Sequence, residues 1–361
     1  MSISGRLRLS IDVDRGRVRR ARVENSRPLA AHLLAGRRVD EAVALASALF
    51  SLCGHAQGLG ARLCLDAALG RAPGDALGRR RSVVAELAQE HLWRLLIDWP
   101  ELLGMPARRS AFAALHRQLA AVAAQRAEQA PELAAMAAEA GLSDFAGGSA
   151  ADLATACRRA GALGQLLARV IERAPRTPFA PALLPDLGAD HWGRALPGGM
   201  PDERFCRRPE HQGAPAETGA LARCATRAPV VALLAEGHAC AARVVARALE
   251  LSDAAGWLAG GFDGFRADAA TVAEGIGISC VQTARGVLLH GARVVEGKVA
   301  DYRIVAPTEW NFHPAGVFLK EVAVIHAASD AAALDAARQL ALALDPCVSW
   351  EVDAEQEAVH A

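Results

Sequence analysis

The first 25 residues alternate between apolar and polar side chains, as a strand with one buried face does. The apolar positions are Leu7, Leu9, Ile11 and Val13. Residues 14–17 then supply turn-forming residues, and residues 18–23 form a second alternating run. Alternation on both sides of a turn predicts a β-hairpin over residues 1–25.

Apolar residues recur at helical spacing over residues 40–173, where Asp40 is a suitable N-cap for the first helix. Residues 82–103 carry a wide apolar face that ends at Gly104. An alanine-rich helix over residues 110–140 is interrupted once, at Pro131. This part of the chain is therefore predicted to be helical.

The second half of the chain changes character twice. Residues 174–215 are rich in proline and glycine, which predicts a long loop. Residues 216–361 contain a helical run, a second hairpin and a last helix, predicted at 220–251, 286–305 and 331–344. The whole pattern predicts one domain over residues 1–361, of the α+β class and mainly helical, with small peripheral β-hairpins.

The composition excludes several classes of protein. The chain has 40 basic and 40 acidic residues, and this neutral balance gives no support for nucleic acid or an anionic membrane as a partner, because either would need a basic face. No apolar run is long enough to cross a bilayer, and no secretory signal is visible at the start. The eight cysteines are scattered and form no CxxC pair, which favours free thiols in a reducing cytoplasm.

Five short segments contain cysteine, arginine, glutamate and glycine in a recognisable order. They are RPLA with GR (27–30 and 36–37), LCGHAQ (52–57), ETGALAR (217–223), RGVLLH with PTEWN (285–290 and 307–311) and DPC (345–347). In this order they resemble the motifs of the large subunit of [NiFe] hydrogenases. The resemblance covers nearly the whole chain and implies the large-subunit fold, a helical bundle with β-elements at its edge.

The departures from this family concern its chemistry. In the catalytic large subunits, two CxxC pairs hold nickel and iron, and the second cysteine of each pair bridges the two metals. Those second positions are Ala56 and Trp350 here, and neither side chain can ligate a metal. The glutamate of the RGxE motif is Ala30, which cannot relay a proton, and the last motif's histidine is Asp353. The sequence therefore predicts no nickel–iron centre of the usual type, no catalysis and no C-terminal processing.

The chain thus keeps the motif residues that shape the fold and lacks those that bind metal or carry protons. In this it resembles the HupK-type accessory proteins of hydrogenase maturation. This resemblance implies a cytoplasmic, non-catalytic scaffold or chaperone that assembles the large subunit. Its partners would be hydrogenase maturation factors, an immature large subunit, or both. Its cargo would be the Fe(CN)2CO fragment, held transiently, and no intrinsic cofactor is implied with certainty.

The first cysteine of each pair survives, so Cys53 and Cys347 are the candidate ligands of the iron fragment. The alternative is two buried cysteines that only pack. His55 is a candidate third ligand, or else a histidine at a helix start bonded to backbone. Arg285 is a candidate donor to cyanide, because its guanidinium is always charged and carries several donors. A structural salt bridge is the alternative for Arg285.

Other residues that ligate metals elsewhere are interpreted as structural. Cys64, His290 and the pair His238 and Cys240 are predicted to lie in the core, and Cys206 with His211 receives no role. An indole at position 350 would fill the former metal cavity or offer an apolar contact to a partner.

Two other functions remain open from the sequence. One is a large-subunit-like component of a respiratory oxidoreductase, of the type that lines the quinone site of complex I, which shares this ancestry. The other is an enzyme with a mononuclear centre on Cys53 and Cys347, for which the general acids are missing.

Overall fold

The computed structural model describes residues 5–50, 52–72 and 76–354. Within them the helices are α1 Val39–Leu49, α2 Gly54–Ala68, α3 Ala76–Trp93, α4 Trp99–Leu102, α5 Arg109–Ala123, α6 Pro131–Ala138, α7 Ala150–Arg159, α8 Ala162–Arg173, α9 Ala189–Ala195, α10 Glu203–Arg207, α11 Ala220–Arg223, α12 Ala228–Ala235, α13 Ala239–Ala259, α14 Pro307–Asn311, α15 Val317–Val322 and α16 Asp330–Leu344. The strands are β1 Arg6–Asp14, β2 Arg17–Asn25, β3 Ala267–Ala273, β4 Ile276–Thr283, β5 Gly286–Val295, β6 Lys298–Val305 and β7 Ser349–Ala354. The predicted class, α+β and mainly helical, is confirmed.

The N-terminal hairpin belongs to a three-stranded sheet with the order β2-β1-β7. β1 and β2 are antiparallel, whereas β7 lies parallel to β1, with Leu7 opposite Trp350 and Leu9 opposite Val352. The alternating apolar residues of β1 pack with α15 and α16 in a separate small core. The sequence pattern did not predict β7, because six residues with three charged or hydroxyl side chains give little strand signal.

The second hairpin, β5 and β6, belongs to a four-stranded antiparallel sheet with the order β3-β4-β5-β6. β3 was not predicted because four of its seven residues are alanine, a residue depleted in strands. The sheet packs directly against α2. Gly277 permits this approach, since a Cβ there would lie 2.2 Å from the carbonyl oxygen of Cys64.

The helical core surrounds α2 and α13, which are buried along most of their length. The helix predicted at 220–251 is in fact three helices, α11, α12 and α13. Pro229 lies in the first turn of α12, and Gly237 has a φ of +77° in the turn before α13, so one continuous helix cannot form. Likewise α5 ends at Ala123 and α6 begins at Pro131.

The proline- and glycine-rich segment 174–215 is mostly loop, but it also contains the short helices α9 and α10. Its aromatic side chains pack beside the second sheet, with the rings of Trp192 and Phe205 at 5.7 and 5.9 Å from that of Trp310. This packing explains how a segment with so many helix breakers is ordered.

The helix predicted over 82–103 changes its winding near its end. Residues Arg94–Asp98 form a π-helical turn between α3 and α4. Pro100 has no N–H to donate to the carbonyl of Leu96, and that oxygen accepts instead from the Arg108 N–H at 2.8 Å. Such turns rotate the side chains that follow. Here Trp93 stays 45% exposed while Arg94 points inward to Asp345.

In the described part of the chain, no helix is both long enough and apolar enough to span a bilayer.

Candidate functional site

The thiols of Cys53 and Cys347 line the same cavity. Cys53 is the N-cap of α2, and Cys347 lies in the short connection between α16 and β7. The cavity has about 430 Å³ of empty volume, which includes open solvent, and Leu52 in its lining is 52% exposed. Its lining also includes the polar side chains of Arg27, Glu86, Glu90 and Arg285 and several apolar ones. The structure thus places together the two cysteines that the sequence singled out.

The environment of Cys53 keeps it protonated in the absence of a metal. Burial raises the pKa of its thiol to about 12, and the neighbouring Cys347 and Glu86 raise it as well. The side-chain amide of Gln57 donates to the sulfur at 3.6 Å. A metal ion that binds this thiol must displace its proton.

Cys347 is held by two side chains. Its backbone N–H donates to Thr308 Oγ1 at 3.1 Å, and the Thr308 hydroxyl donates back to its sulfur at 3.0 Å. The guanidinium of Arg27 donates to the same sulfur from Nη1 at 3.6 Å. Both partners lie in the segments RPLA and PTEWN, yet the motif comparison gave neither of them a role.

Arg285 lines the cavity and is also part of a buried ion cluster around Asp345. Asp345 accepts hydrogen bonds from Arg94 at 2.8 Å, Arg247 at 3.0 Å and Arg285 at 3.3 Å. Burial alone would raise the pKa of Asp345, but the three guanidinium groups lower it below its ordinary value. Arg285 also donates to Glu90 at 2.5 Å. The salt bridge considered for Arg285 therefore exists, and it fixes the guanidinium at the cavity wall.

The same cluster positions Cys347. Asp345 ends α16 with a left-handed φ of 54° and lies two residues before Cys347. Its carboxylate is bound by three arginines, which hold the end of α16, and the chain continues from there to Cys347 in the cavity lining.

Glu86, another cavity-lining residue, caps the start of α2. Its carboxylate oxygens accept from the backbone N–H groups of His55 at 2.8 Å and of Ala56 at 3.1 Å. Burial raises the pKa of Glu86 to about 8, although these two hydrogen bonds oppose the shift. Because Cys53 lies two residues before the first of these amides, Glu86 holds the backbone next to that thiol.

His55 is placed differently from the two cysteines. Its side chain is exposed and is not among the residues that line the cavity. Only its backbone takes part in the site, through the bond to Glu86. In this conformation the structure does not bring His55 together with Cys53 and Cys347 as a ligand.

The residues interpreted as structural lie in the core or away from the thiols. Cys64 donates to the carbonyl of Gly277 at 3.1 Å, and His290 Nδ1 lies 2.6 Å from the Tyr302 hydroxyl. Cys240 is fully buried in α13. Trp350 does not line the cavity but packs, half-buried, between the main core and the core under the first sheet. The prediction that its indole fills the cavity is therefore wrong, because β7 pairing directs it elsewhere.

A second cavity adjoins the first and shares Arg27 with it. It is lined by Ala30 and Cys206, and by Glu309, whose side chain is 13% exposed and accepts from the Asn25 amide at 2.8 Å. A carboxylate from a different segment thus lies beside Ala30, the position where the resemblance implies a lost glutamate. The sequence comparison missed Glu309 because it occupies the variable position of the PTxWN motif.

All eight cysteines carry free thiols. Within residues 5–50, 52–72 and 76–354, no group of three or more histidine, cysteine, aspartate or glutamate side chains is arranged to hold a metal ion. Cys53 and Cys347 remain the candidate ligands at this cavity, whose lining they share.

Comparison with known proteins identifies the family. The chain is 32% identical to the hydrogenase expression/formation protein HupK of Rhizobium leguminosarum bv. viciae, over 98% of both chains. It is 31% identical to HupV of Azotobacter chroococcum mcd 1 (97% of this chain, 98% of that one). It is 32% identical to HoxV of Cupriavidus necator (94% and 95%). The chain belongs to this family of hydrogenase expression/formation proteins.

Residues 213–352 also match the family model described as nickel-dependent hydrogenase. Among solved structures, a G491S variant of the [NiFeSe] hydrogenase from Desulfovibrio vulgaris Hildenborough superimposes with a TM-score of 0.60 at 17% identity, over 93% of this chain and 94% of that one. The reduced Ni-Fe-Se hydrogenase of Desulfomicrobium baculatum gives 0.56 at 16% identity (93% and 95%). The large-subunit fold implied by the sequence resemblance is confirmed.

Proposed function

We propose that this protein is a non-catalytic scaffold in the maturation of the [NiFe]-hydrogenase large subunit. It binds the Fe(CN)2CO fragment transiently on Cys53 and Cys347 and passes it on. The observation that carries the proposal is that these two thiols, far apart in the sequence, line one cavity together with two guanidinium groups.

The donor set fits such a cargo. Thiolates suit iron, and the fragment brings its own three diatomic ligands, so two protein sulfurs complete much of its coordination. Cyanide nitrogen accepts hydrogen bonds, and the guanidinium groups of Arg27 and Arg285 supply donors at the cavity wall. Because both thiols must lose a proton on binding, the complex is weaker at low pH, which favours release.

The same donor set argues against a complete nickel–iron centre. The two positions that bridge the metals in the catalytic large subunits are Ala56, which is buried at the start of α2, and Trp350, which does not line the cavity. Neither supplies a sulfur. A site that binds one iron and has no bridging thiols for a second metal is consistent with a role in cofactor assembly and not with hydrogen turnover.

The partners follow from this role and from the relatives' names, which place them in hydrogenase expression and formation. A maturation factor delivers the fragment and an immature large subunit receives it. Full-length likeness to these proteins favours the maturation role over a quinone-site component of a respiratory complex.

The proposal is tested on protein isolated anaerobically from a host that assembles hydrogenase. Iron content and the infrared bands of bound cyanide and carbonyl are measured for the wild type, Cys53→Ser and Cys347→Ser. Cys157→Ser, in α7, is the matched control. We expect iron and the three bands in the wild type and control, and their loss in both cavity variants. A metal-free wild type, or iron that survives both substitutions, contradicts the proposal.

A further inference from the structure

Arg27 lies at the boundary between the two adjoining cavities and lines both. Its side chain is 11% exposed. The guanidinium carbon lies 5.3 Å from the centre of the Phe50 ring, and Nη1 lies 3.9 Å from a carboxylate oxygen of Glu309. An aromatic face on one side and a carboxylate on the other hold the planar group in place.

From this position Arg27 reaches Cys347. Nη1 donates to the sulfur at 3.6 Å, and among the described residues Nη2 and Nε have no hydrogen-bond partner. Arg285 is different, because its Nε and Nη2 are engaged by Asp345 and Glu90, which leaves Nη1. The cavity with two thiols is thus lined by two guanidinium groups, and each has N–H groups that no described residue accepts from.

The three diatomic ligands of the iron fragment differ in how strongly they accept hydrogen bonds. Two of its three diatomic ligands are anionic cyanides with a strongly basic nitrogen, whereas carbonyl oxygen is a weak acceptor. Charged N–H donors discriminate in favour of the first kind. Two cyanides and two arginines give one cation to each anionic ligand, and the carbonyl is left to the apolar part of the wall.

We propose that Arg27 is a positioning residue that receives one cyanide of the iron fragment, while Arg285 receives the other. Phe50 and Glu309 hold Arg27 for this purpose, so the bound fragment has a fixed orientation with respect to Cys347. This inference rests on the proposed function, and it adds a residue that distinguishes a dicyanide cargo from bare iron.

The test uses the infrared spectrum of anaerobically isolated full-length protein, because hydrogen bonds to cyanide change its stretching frequencies. Arg27→Gln and Arg27→Lys are compared with the wild type and with the control Arg194→Lys, whose side chain is 73% exposed. We expect a changed separation of the two cyanide bands in Arg27→Gln, a smaller change in Arg27→Lys, and little movement of the carbonyl band. Unchanged cyanide bands in Arg27→Gln with full iron content overturn the inference while leaving the proposed function intact.

A second variant covers failure of Arg27→Gln to fold or to retain iron. Glu309→Gln keeps the guanidinium and removes its counter-charge, so the cyanide separation should change in the same direction by a smaller amount. An unchanged separation in Glu309→Gln then overturns the inference. Absence of all three bands from the wild type is a different result, since it removes the proposed function itself.

Discussion

Thr308 and Cys347 exchange two hydrogen bonds, although 39 positions separate them in the sequence. The backbone N–H of Cys347 donates to the hydroxyl, and the hydroxyl donates to the sulfur. Thr308 is 1% exposed, so water does not compete for these bonds. One side chain therefore fixes both the backbone and the thiol of a candidate ligand.

Replacement of Thr308 by valine keeps the shape of the side chain and removes both bonds. We expect a loss of about 1–3 kcal/mol in the free energy of unfolding, because the half-buried N–H of Cys347 is left without a protein partner. Faster alkylation of Cys347 should accompany it. Thr308→Ser retains the hydroxyl and is the control. Denaturant unfolding and thiol labelling measure the two effects, and equal values for valine and serine would exclude this role.

Glu86 predicts a pH dependence of stability. Its pKa is raised to about 8 by burial, from an ordinary value of 4.5, so between these values the folded protein holds a proton that the unfolded chain releases. Its contribution to stability is therefore complete below about pH 4.5 and is lost as the pH rises through 8. The loss is on the order of 3 kcal/mol between pH 5 and 8.

Glu86→Gln should remove this part of the slope, and Glu203→Gln, whose side chain is 66% exposed on α10, should not. Denaturant unfolding at several pH values gives the comparison. A Glu86→Gln slope equal to that of the wild type would show that this carboxyl group does not titrate as described.

The fold was largely predictable where side-chain periodicity carried the information. Alternation in β1 and β2 predicted the first hairpin, and the turn at Glu296 and Gly297 predicted the second. β3, β4 and β7 were not predicted, and for β3 and β7 the reason is that strand pairing, not their own residues, makes them strands. Arg94 was not singled out, because nothing in its own segment indicates that its partner is Asp345, 251 positions away.

Some residues of the candidate site were predicted from the sequence, and others are visible only in the structure. Cys53 and Cys347 were found because they belong to recognisable segments. Glu86 and Glu90 look like the polar face of an ordinary amphipathic helix, and only the tertiary structure shows that this face borders the cavity. No role was assigned to Arg27 and Glu309 from the sequence, and only the structure shows that Arg27 lies between two cavities with Glu309 close to it.

Arg243 on α13 is paired with two carboxylates inside the protein. It donates to both oxygens of Glu217, at 2.8 and 2.9 Å, and to Glu321 at 2.7 Å, and all three side chains are at most 2% exposed. Arg243→Met leaves two buried carboxylates without their cation, so we expect a loss of about 3–5 kcal/mol.

Adding Glu217→Gln and Glu321→Gln to Arg243→Met should recover much of that loss, because no uncompensated charge then remains. Chemical denaturation of the single and triple variants tests the expectation. A triple variant less stable than Arg243→Met would show that the carboxylates stabilise the fold by another route.

Gly286 follows Arg285 directly, and the geometry of the polypeptide there tolerates no side chain. Its φ is +135°, and a Cβ would lie 2.3 Å from Thr218 Cγ2. Thr218 cannot withdraw freely, because its hydroxyl accepts from the N–H of Val287 at 3.0 Å and its own N–H donates to Asn311 at 2.9 Å. Gly286→Ala should therefore cost about 2–4 kcal/mol through strain and overpacking.

Gly256→Ala is the matched control for this substitution. Gly256 lies inside α13, and no atom outside its neighbours and its own helix backbone lies within 4 Å of the added Cβ, so alanine there should stabilise the protein by about 0.5–1 kcal/mol. Opposite signs for the two variants in thermal unfolding are expected. Because Gly286 sets the path of the backbone that carries Arg285, Gly286→Ala should also reduce the amount of bound iron. A destabilised variant with full iron content would show that the conformation of this turn does not affect iron binding.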